Sequence, residues 1–445
     1  MEVTRTDPVQ LEAVYPEMRF SAWSLATRLA FRFCFVYFSV YCLSTQIITS
    51  FFPVPNFDIP DPSTLWPIRP IVLWTAAYVF RVSKPLVYTD SGSGDKTFDW
   101  VLLFCMLVFS LVATAIWSAL DRKRPDYTTV HKWFRLFIRF CLAGQMITYG
   151  MAKFVPLQMP FPFLTRLLER YGDFSPMGVL WSSIGASPAY EIFAGGAELL
   201  GGILLIFPRT TTLGALVCLA DLTQVFVLNM TYDVPVKLLS FHLILLSLFL
   251  LAPDGKRLVN LFLLNRAAGP QELPRLFARP RGNRIAFAAQ IAVGVWLLGM
   301  NAYAARTGWQ QYGGGRTLSP LYGIWDVEQQ SVDGQLRAPL MTDAGRWRRA
   351  VFDSPARVTF QRIDDSFAGH GVTIDMKHKT LVLSDNQDKN WKAIFTFNRP
   401  TTEQMTLDGT MDGHAVHLQL KLVDRNQFVL VGRGFHWIQD YPYNR

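Results

Sequence analysis

The chain has 445 residues, of which 50% are hydrophobic and 17% are charged, and its formal net charge at pH 7 is +9. Soluble globular proteins typically carry about 25% charged residues, so this composition argues against a purely soluble protein. The excess Lys and Arg residues lie between long apolar segments, where they indicate membrane topology and argue against nucleic-acid binding.

A transmembrane helix requires about 20 consecutive, mostly apolar residues, and seven segments of the sequence meet this requirement. In chain order they are residues 29–51, 99–120, 134–155, 189–208, 211–230, 236–252 and 285–305. Residues 68–87 are also apolar, but prolines and basic residues interrupt them. We therefore predict a periplasmic, interfacial or re-entrant helix there, and not an eighth span.

The distribution of positive charge supports seven spans. Cytoplasmic loops of membrane proteins are enriched in Lys and Arg. With the N-terminus placed in the cytoplasm, the inner segments hold 17 Lys and Arg residues and the outer loops hold six. This bias predicts a cytoplasmic N-terminus and places everything after Tyr303 on the outer side of the membrane.

From about Thr317 the hydrophobic pattern changes to short alternating runs, which are typical of β-strands. About eight strands in about 125 residues are enough to close a small barrel or to form a sandwich. Asp408-Gly409 and Asp412-Gly413 are typical of turns. Residues 343–352 are predicted to form a helical insert, and residues 428–431 a late strand.

The β segment also carries a short motif at its first and last strands. Gly323-Ile324-Trp325 and Arg433 resemble the Gly-x-Trp and late Arg of lipocalin-like barrels, in which the Arg packs over the Trp. The alternative interpretation of Trp325 is an ordinary buried core residue.

Cysteine and histidine usage restricts the cofactors. All five cysteines lie in apolar runs and none forms a Cys-x-x-Cys pair, which disfavours iron–sulfur, disulfide and dithiol chemistry. His131 and His242 are the two histidines before the β segment, and His131 lies at the membrane edge, so a bis-His haem is disfavoured. The sequence predicts no metal site.

Ionisable side chains inside a membrane cost several kcal/mol, so each of them predicts a functional role. The third span carries Arg139, Tyr149 and Lys153 on one helix face, with the two cations near opposite leaflets. We predict that these residues bind a ligand together with Asp233 and Lys237, which lie at the outer mouth. For Lys153, snorkelling to the lipid headgroups is the alternative.

The next three spans contribute Glu198, Asp221 and His242, which we predict to be catalytic groups that relay protons. Gly195 and Gly202 share the helix face of Glu198 and allow a neighbouring backbone to approach closely. The structural alternative is that Glu198 pairs with Arg139 and fixes the helix bundle.

Several motifs resemble the DoxX family of membrane proteins. They are Tyr149-Gly150-Met151-Ala152-Lys153, Ser175-Pro176-Met177, Glu198-Leu199-Leu200-Gly201-Gly202, Arg209-Thr210-Thr211-Thr212-Leu213-Gly214 and Tyr232-Asp233-Val234-Pro235-Val236-Lys237-Leu238. The resemblance covers about residues 130–265 and implies a four-helix module of the bacterial inner (plasma) membrane. The family takes its name from a subunit of a thiosulfate:quinone oxidoreductase, so the resemblance implies association with membrane redox complexes. This chain departs from the short family form by its extra helices and its β segment.

The predicted fold class is an α-helical polytopic membrane protein with about seven transmembrane helices, a DoxX-like four-helix core and a C-terminal all-β, lipocalin-like barrel. The predicted domains are 1–130, N-terminal transmembrane segments with the periplasmic or interfacial helix; 131–265, the DoxX-like bundle; 266–316, a cytoplasmic loop, the seventh transmembrane helix and a linker; and 317–445, the periplasmic β domain.

Three functions are compatible with this organisation. The first is an oxidoreductase subunit of a quinone-linked system, which would hold a quinone, work in the lipid bilayer and meet a membrane redox partner. The second is a non-enzymatic scaffold whose periplasmic β domain binds a lipid or a partner protein. The third is a transporter in which the buried charges line the pathway, although no internal repeat supports it.

Overall fold

A computed structural model of the chain describes residues 23–53, 59–89, 91–270, 275–385, 388 and 391–444. These residues form a helical region followed by a β domain, which confirms the predicted fold class at this level. Residues 1–22, which the charge bias assigns to the cytoplasm, lie outside the described residues.

The helical region contains long and short helices. In chain order they are α1 (Leu25–Ser44), α2 (Gln46–Thr49), α3 (Ile68–Tyr78), α4 (Thr97–Leu120), α5 (Thr128–Phe154), α6 (Pro176–Gly185), α7 (Pro188–Ile206), α8 (Thr211–Thr231), α9 (Lys237–Leu251), α10 (Gly255–Phe262) and α11 (Pro280–Gln311). Within the described ranges, six segments are long and apolar enough to cross a membrane, namely α1, α4, α7, α8, α9 with α10, and α11. The chain therefore has the helices of a multi-pass membrane protein.

Helix α5 is the predicted span that is too polar to meet the same criterion. It has 27 residues, which corresponds to a length of about 40 Å at 1.5 Å per residue. Its middle part, residues 138–147, is buried throughout, and it packs against α1, α7, α9 and α11. Because other helices surround α5, its charged side chains meet protein partners instead of lipid.

Residues 68–87 form the short helix α3 and then an irregular segment. The 11 residues of α3 extend about 16 Å, which is roughly half the thickness of the hydrocarbon core. Helix α3 packs against α4. A helix of this length does not cross the hydrocarbon core by itself.

The β domain is a closed antiparallel barrel. Its strands are β1 (Gly323–Val332), β2 (Gln335–Leu336), β3 (Trp347–Ser354), β4 (Arg357–Arg362), β5 (Phe367–Asp375), β6 (Thr380–Ser384), β7 (Lys392–Asn398), β8 (Gln404–Met411) and β9 (His414–Leu422). In the part of the chain that the structure describes, β1 and β3–β9 pair in sequence order, and β9 pairs with β1 to close eight strands into a barrel. Strand β2 forms a short hairpin with the end of β1.

Apolar side chains from alternating positions fill the barrel. On β7, Ala393, Phe395 and Phe397 are buried, whereas Lys392 and Ile394 are exposed. This is the period of two that a strand with one buried face requires. The barrel therefore has a hydrophobic core of its own.

Three local predictions in the β domain are wrong. Residues 343–352 contain the start of β3 and not a helix, because β1 and β4 pair with that strand on both sides. Residues 428–431 overlap the short helix α12 (Val429–Gly432). Asp408-Gly409 lies inside β8, where a Cβ on Gly409 would come within 2.7 Å of Phe395 Cα. Gly409 therefore allows β8 to approach β7 closely and does not form a turn.

The lipocalin-like Trp and Arg pair involves a different arginine from the predicted one. Trp325 is completely buried, and its Nε1 donates a hydrogen bond to the Leu321 carbonyl oxygen at 3.0 Å. The guanidinium of Arg399 lies 5.3 Å from the centroid of the Trp325 ring. Arg433 instead lies over the ring of Tyr443, at 4.0 Å. The prediction for Arg433 is wrong because the chain leaves the barrel after β9, whereas Arg399 lies in the turn between β7 and β8.

The barrel contacts the segment between α5 and α7, which we call the α5–α7 connection (residues 155–187, including α6). Leu164 of this connection is buried against Val351 on the outer face of β3. Arg170 forms an ion pair with Asp365 of the barrel. The barrel therefore lies at the end of the helix bundle where α5 ends and α7 begins.

We predict that the barrel folds without the helical region, because its strands close on one another around their own core. Residues 317–445 expressed alone should give a β-type circular dichroism spectrum and a cooperative thermal transition. Phe395→Ala should lower the free energy of unfolding by about 3–5 kcal/mol, since the Phe395 ring is completely buried. Ile394→Ala, on the outer face, is the matched control, and equal losses in the two variants would contradict the assignment of the faces.

Candidate functional site

Helices α5 and α7 pack backbone against backbone. A Cβ placed on Gly195 would lie 2.7 Å from the Gly150 carbonyl oxygen, and a Cβ placed on Gly150 would lie 2.7 Å from the Leu199 amide nitrogen. Gly202 is similarly close to Ile147. The α7 glycines thus allow the close approach that the sequence predicts, and glycine is the residue type that makes such an approach possible.

This helix contact brings Lys153 of α5 against Glu198 of α7. Lys153 Nζ donates a hydrogen bond to Glu198 Oε1, and 8% and 4% of the two residues' surfaces are exposed. Within the described residues, Glu198 Oε2 has no hydrogen-bond partner. A buried ion pair gains Coulomb energy but loses the hydration of both charges. The second carboxylate oxygen is therefore free to accept a hydrogen bond from a bound molecule.

A cavity of about 140 Å³ lies beside this pair, and we call it the ion-pair cavity. Helices α5–α9 and the α5–α7 connection contribute to its walls, which are mostly apolar. Its polar side chains include Gln145, Tyr149, Lys153, Gln158, Tyr190, Glu198, Asp221, Gln224, Asn229 and Ser240. Apolar walls with a few convergent polar groups are typical of small-molecule sites.

The ion-pair cavity has more acidic than basic groups. Of the described residues that line it, Lys153 is the only cation, whereas Glu198 and Asp221 are both acids. Asp221 Oδ2 has no hydrogen-bond partner in the described ranges. Two carboxylates and one ammonium leave an uncompensated negative charge, which is costly inside a membrane. A proton on one carboxyl group, or a ligand that donates hydrogen bonds, would balance the site.

The lining of the ion-pair cavity includes exposed side chains of α7 and α8. Phe193 and Tyr190 of α7 line the cavity and are 72% and 44% exposed, and Gln224 of α8 is exposed as well. Further along, the two helices touch, since a Cβ on Gly201 would lie 2.8 Å from Cys218 Sγ. The cavity therefore extends to the surface of the helical region at the exposed side chains of α7 and α8.

A second cavity, of about 310 Å³, shares Tyr149 with the first, and we call it the polar cavity. Its lining includes Gln46, Asp61, Lys96 and Asp99. Gln46 Nε2 donates a hydrogen bond to the Tyr149 hydroxyl oxygen at 2.9 Å. Burial raises the pKa of the half-buried Asp61 carboxyl, and the Lys96 ammonium opposes this shift. Polar side chains from loops and helix ends thus lie next to the buried ion pair.

The structure brings together four of the predicted site residues: Tyr149, Lys153, Glu198 and Asp221 all line the ion-pair cavity. His242 lines the polar cavity instead. Its Nε2 lies 2.6 Å from the Tyr37 hydroxyl oxygen and its Nδ1 lies 2.6 Å from the Leu238 carbonyl oxygen. Both ring nitrogens of His242 are therefore engaged away from Glu198 and Asp221.

Arg139 is separate from both cavities as the structure describes them. Its guanidinium donates hydrogen bonds to Gln290 Oε1 of α11 and, at 3.4 Å, to Thr211 Oγ1 of α8. The alternative in which Arg139 pairs with Glu198 is wrong, because the cation that meets Glu198 is Lys153. Arg139 lies 14 residues before Lys153, about 21 Å away along α5.

Asp233 and Lys237 stabilise the turn between α8 and α9. Lys237 Nζ lies 2.9 Å from Asp233 Oδ1, in an exposed ion pair. The Asp95 carboxylate accepts hydrogen bonds from the backbone N–H groups of Lys237 and Leu238, at 2.8 and 2.9 Å. A carboxylate at this place compensates the free N–H groups at the start of α9. In the described structure, neither predicted residue lines either cavity.

Sequence reasoning missed Gln46 and Gln145, which are uncharged polar residues in predicted spans. Gln145 Nε2 donates a hydrogen bond to Ser50 Oγ at 2.7 Å, and Gln46 bonds to Tyr149 as described above. Their presence in apolar segments was the available signal, since a polar side chain inside a membrane needs a partner.

Glu191 also lacked a predicted role. It is completely buried, and its Oε1 accepts a hydrogen bond from the Met159 backbone N–H at 2.9 Å. Met159 lines the ion-pair cavity, so Glu191 holds the α5–α7 connection over the cavity. The sequence did offer a signal for this role: Glu191 lies seven residues, or two helical turns, before Glu198 and therefore shares its helix face.

Comparisons with known proteins reveal a relative without an assigned function. A stretch of 129 residues, 29% of this chain, is 33% identical to the uncharacterized protein YwoB of Bacillus subtilis (strain 168) and covers 79% of that protein. No family model matches the chain, and no solved structure matches it. Among the described residues, no group of three or more His, Cys, Asp or Glu side chains is arranged to hold a metal ion.

We predict that a methyl group at Gly195 separates α5 from α7 and weakens the ion pair. Gly195→Ala should lower the free energy of unfolding in detergent by about 1–3 kcal/mol, as overpacking typically does. Gly196→Ala is the matched control, because a Cβ there would meet only Phe154 Cδ2, at 3.9 Å. Thermal unfolding followed by tryptophan fluorescence measures both variants, and identical melting temperatures would contradict the close contact.

Proposed function

We propose that this chain, which belongs to the same family as YwoB, is a multi-pass membrane protein that binds a lipid-soluble molecule with a polar head group. The observation that carries this proposal is the placement of Lys153, Glu198 and Asp221 in a mostly apolar cavity whose lining includes exposed side chains of α7 and α8. A hydrophilic ligand would meet mostly apolar walls, and a purely apolar ligand would leave the free carboxylate oxygens unpaired.

We further propose that the ligand is a quinone and that the protein is a DoxX-like subunit of a membrane oxidoreductase. A quinone supplies two-electron chemistry that is coupled to the uptake of two protons. Lys153 and Tyr149 would donate hydrogen bonds to its carbonyl oxygens, and Glu198 and Asp221 would hold and transfer the protons. The electrons would come from a membrane redox partner protein. The motifs of residues 130–265 that resemble DoxX support this proposal.

The scaffold alternative has support from the position of the barrel. Large side chains fill the barrel, among them Trp325, Phe352 and Phe395, so its outer surface, and not its interior, would meet a partner protein. Because the barrel contacts the α5–α7 connection, a partner bound there would lie close to the ion-pair cavity. Binding of a lipid inside the barrel receives no support from this packing.

We predict that the C-terminus is periplasmic and that the membrane is the bacterial inner membrane. The charge bias requires an odd number of spans, and α5 together with the six apolar segments supplies seven. A phosphatase fused after Arg445 should be active and a fluorescent protein fused there should be dark. Fusions after Ala268, in the loop before α11, should give the reverse pair, and opposite results at both positions would contradict this topology.

A charge-free replacement of the ion pair tests ligand binding. The double variant Lys153→Met with Glu198→Leu removes both charges, and such replacements of buried pairs are often neutral or stabilising. We expect it to keep the melting temperature of the wild type but to lose the lipid-soluble molecule that co-purifies from native membranes. Native mass spectrometry in mild detergent measures the bound molecule, and redox-active quinone in the extract identifies it.

The single variants provide the controls. Lys153→Met alone leaves a buried carboxylate unpaired and should lower stability by about 3–5 kcal/mol. Glu169→Gln changes a carboxylate whose ion pair with Arg166 is only partly buried, and it should retain both stability and ligand. A double variant that keeps wild-type ligand content would refute the proposed site.

A further inference from the structure

The polar cavity lies at the end of α1, where the chain continues into the short helix α2. Helix α1 ends at Ser44, Thr45 has an extended backbone (φ −110°, ψ 178°), and the chain resumes as α2 at Gln46. Thr45 and Gln46 both line the polar cavity. With 20 residues, α1 is about 30 Å long, which is the thickness of the hydrocarbon core. The polar cavity therefore lies at one end of a helix of membrane length, where side chains can meet water.

The lining of the polar cavity also fits water. Asp61, Lys96 and Asp99 line it together with the loop Gly92-Ser93-Gly94. Lys96 Nζ lies 3.2 Å from Asp99 Oδ2, and the Asp99 carboxylate also accepts the Lys96 backbone N–H at 2.9 Å. The volume of about 310 Å³ is sufficient for several water molecules, each of which occupies roughly 30 Å³.

Tyr149 stands between the hydrated side and the buried carboxyl groups. Of the described side chains, it is the one polar group that lines both cavities; the apolar Val236 and Leu239 are the other shared residues. Its oxygen accepts a hydrogen bond from Gln46 Nε2, so its own O–H is left to donate elsewhere. Lys153 lies one turn further along the same face of α5.

The other titratable groups on the polar cavity are less suited to this task. Tyr41 stacks on the His242 ring with centroids 3.8 Å apart, and both nitrogens of His242 have partners. Asp61, Lys96 and Asp99 line the polar cavity but, among the described residues, do not line the ion-pair cavity. Tyr149 is therefore the group that can connect the two spaces.

We infer that the polar cavity is a hydrated chamber and that the Tyr149 hydroxyl relays protons between it and the carboxyl groups of Glu198 and Asp221. This inference deepens the proposed function, since a quinone-linked site must exchange protons. In the inward step, a hydronium ion in the polar cavity gives a proton to the Tyr149 oxygen. The original phenol proton moves through water or ligand to the Asp221 carboxylate. Tyr149 ends neutral, the chamber retains a water molecule, and no electrons move.

Hydrogen–deuterium exchange of the buried carboxylic acid tests the relay. The full-length protein in lipid nanodiscs is transferred to D₂O, and infrared spectroscopy follows the shift of the carboxylic C=O band. Asp221→Asn and Glu198→Gln assign the band by its loss. Tyr149→Phe should slow the exchange by about tenfold or more, because general acid–base groups typically contribute at least that much.

Two further variants separate a relay from a disturbed fold. Tyr149→Ala opens a space that water can fill, so its exchange should return to the wild-type rate or exceed it. Tyr37→Phe removes a hydroxyl that binds His242 and should leave the rate unchanged. Wild-type exchange in Tyr149→Phe, slow exchange in Tyr149→Ala, or a wild-type protein without an assignable band would each overturn the inference.

The exchange experiment needs no ligand, so its outcome is independent of the proposed function. The Lys153→Met, Glu198→Leu double variant retains Asp221 and Tyr149. If that variant keeps its ligand, the binding proposal fails, whereas the relay is still judged by the exchange rate of Asp221. If Tyr149→Phe exchanges as fast as the wild type, the relay fails and the ligand content still decides the binding proposal.

Discussion

The ion pair between Lys153 and Glu198 is the interaction on which the helical region depends. Both charges are buried, and a buried charge is costly without its partner. They meet because Gly150 and Gly195 lack the side chains that would hold α5 and α7 apart. The same crossing leaves a space beside the pair, which α6, α8 and α9 enclose. A structural requirement and a candidate binding site thus arise from one helix contact.

Other charged side chains along α5 are also paired with groups from neighbouring elements. Three of its cations have partners on other helices or at helix ends: Arg135 lies 3.3 Å from Asp254 Oδ2, Arg139 bonds to Gln290, and Lys153 bonds to Glu198. These contacts link α5 to the elements around it. A helix that would be too polar beside lipid is therefore stable as the central element of the bundle.

The architecture was largely predictable from the sequence. The length of each apolar segment is a local property, and a backbone in lipid must form helices. Each predicted span therefore corresponds to a helix, with end errors of up to seven residues. The strand alternation after Thr317 is equally local, and it predicted a small barrel or sandwich. One error occurred at β3, where pairing with neighbouring strands overrides the local helical preference. Another concerned the arginine that packs over Trp325, which is Arg399 and not the predicted Arg433 near the end of the chain.

The site required the tertiary structure. The sequence identified Lys153, Glu198 and Asp221 as costly intramembrane charges, but it could not decide which of them meet. Partner choice depends on how helices distant in sequence cross and rotate, and the glycine contact at Gly195 fixes one such crossing. This crossing brings Glu198 into contact with Lys153. His242 instead forms a hydrogen bond with Tyr37. The sequence by itself therefore determined which charges are buried, and the packing of the helices decided their partners, because burial follows from local composition whereas contact follows from three-dimensional geometry.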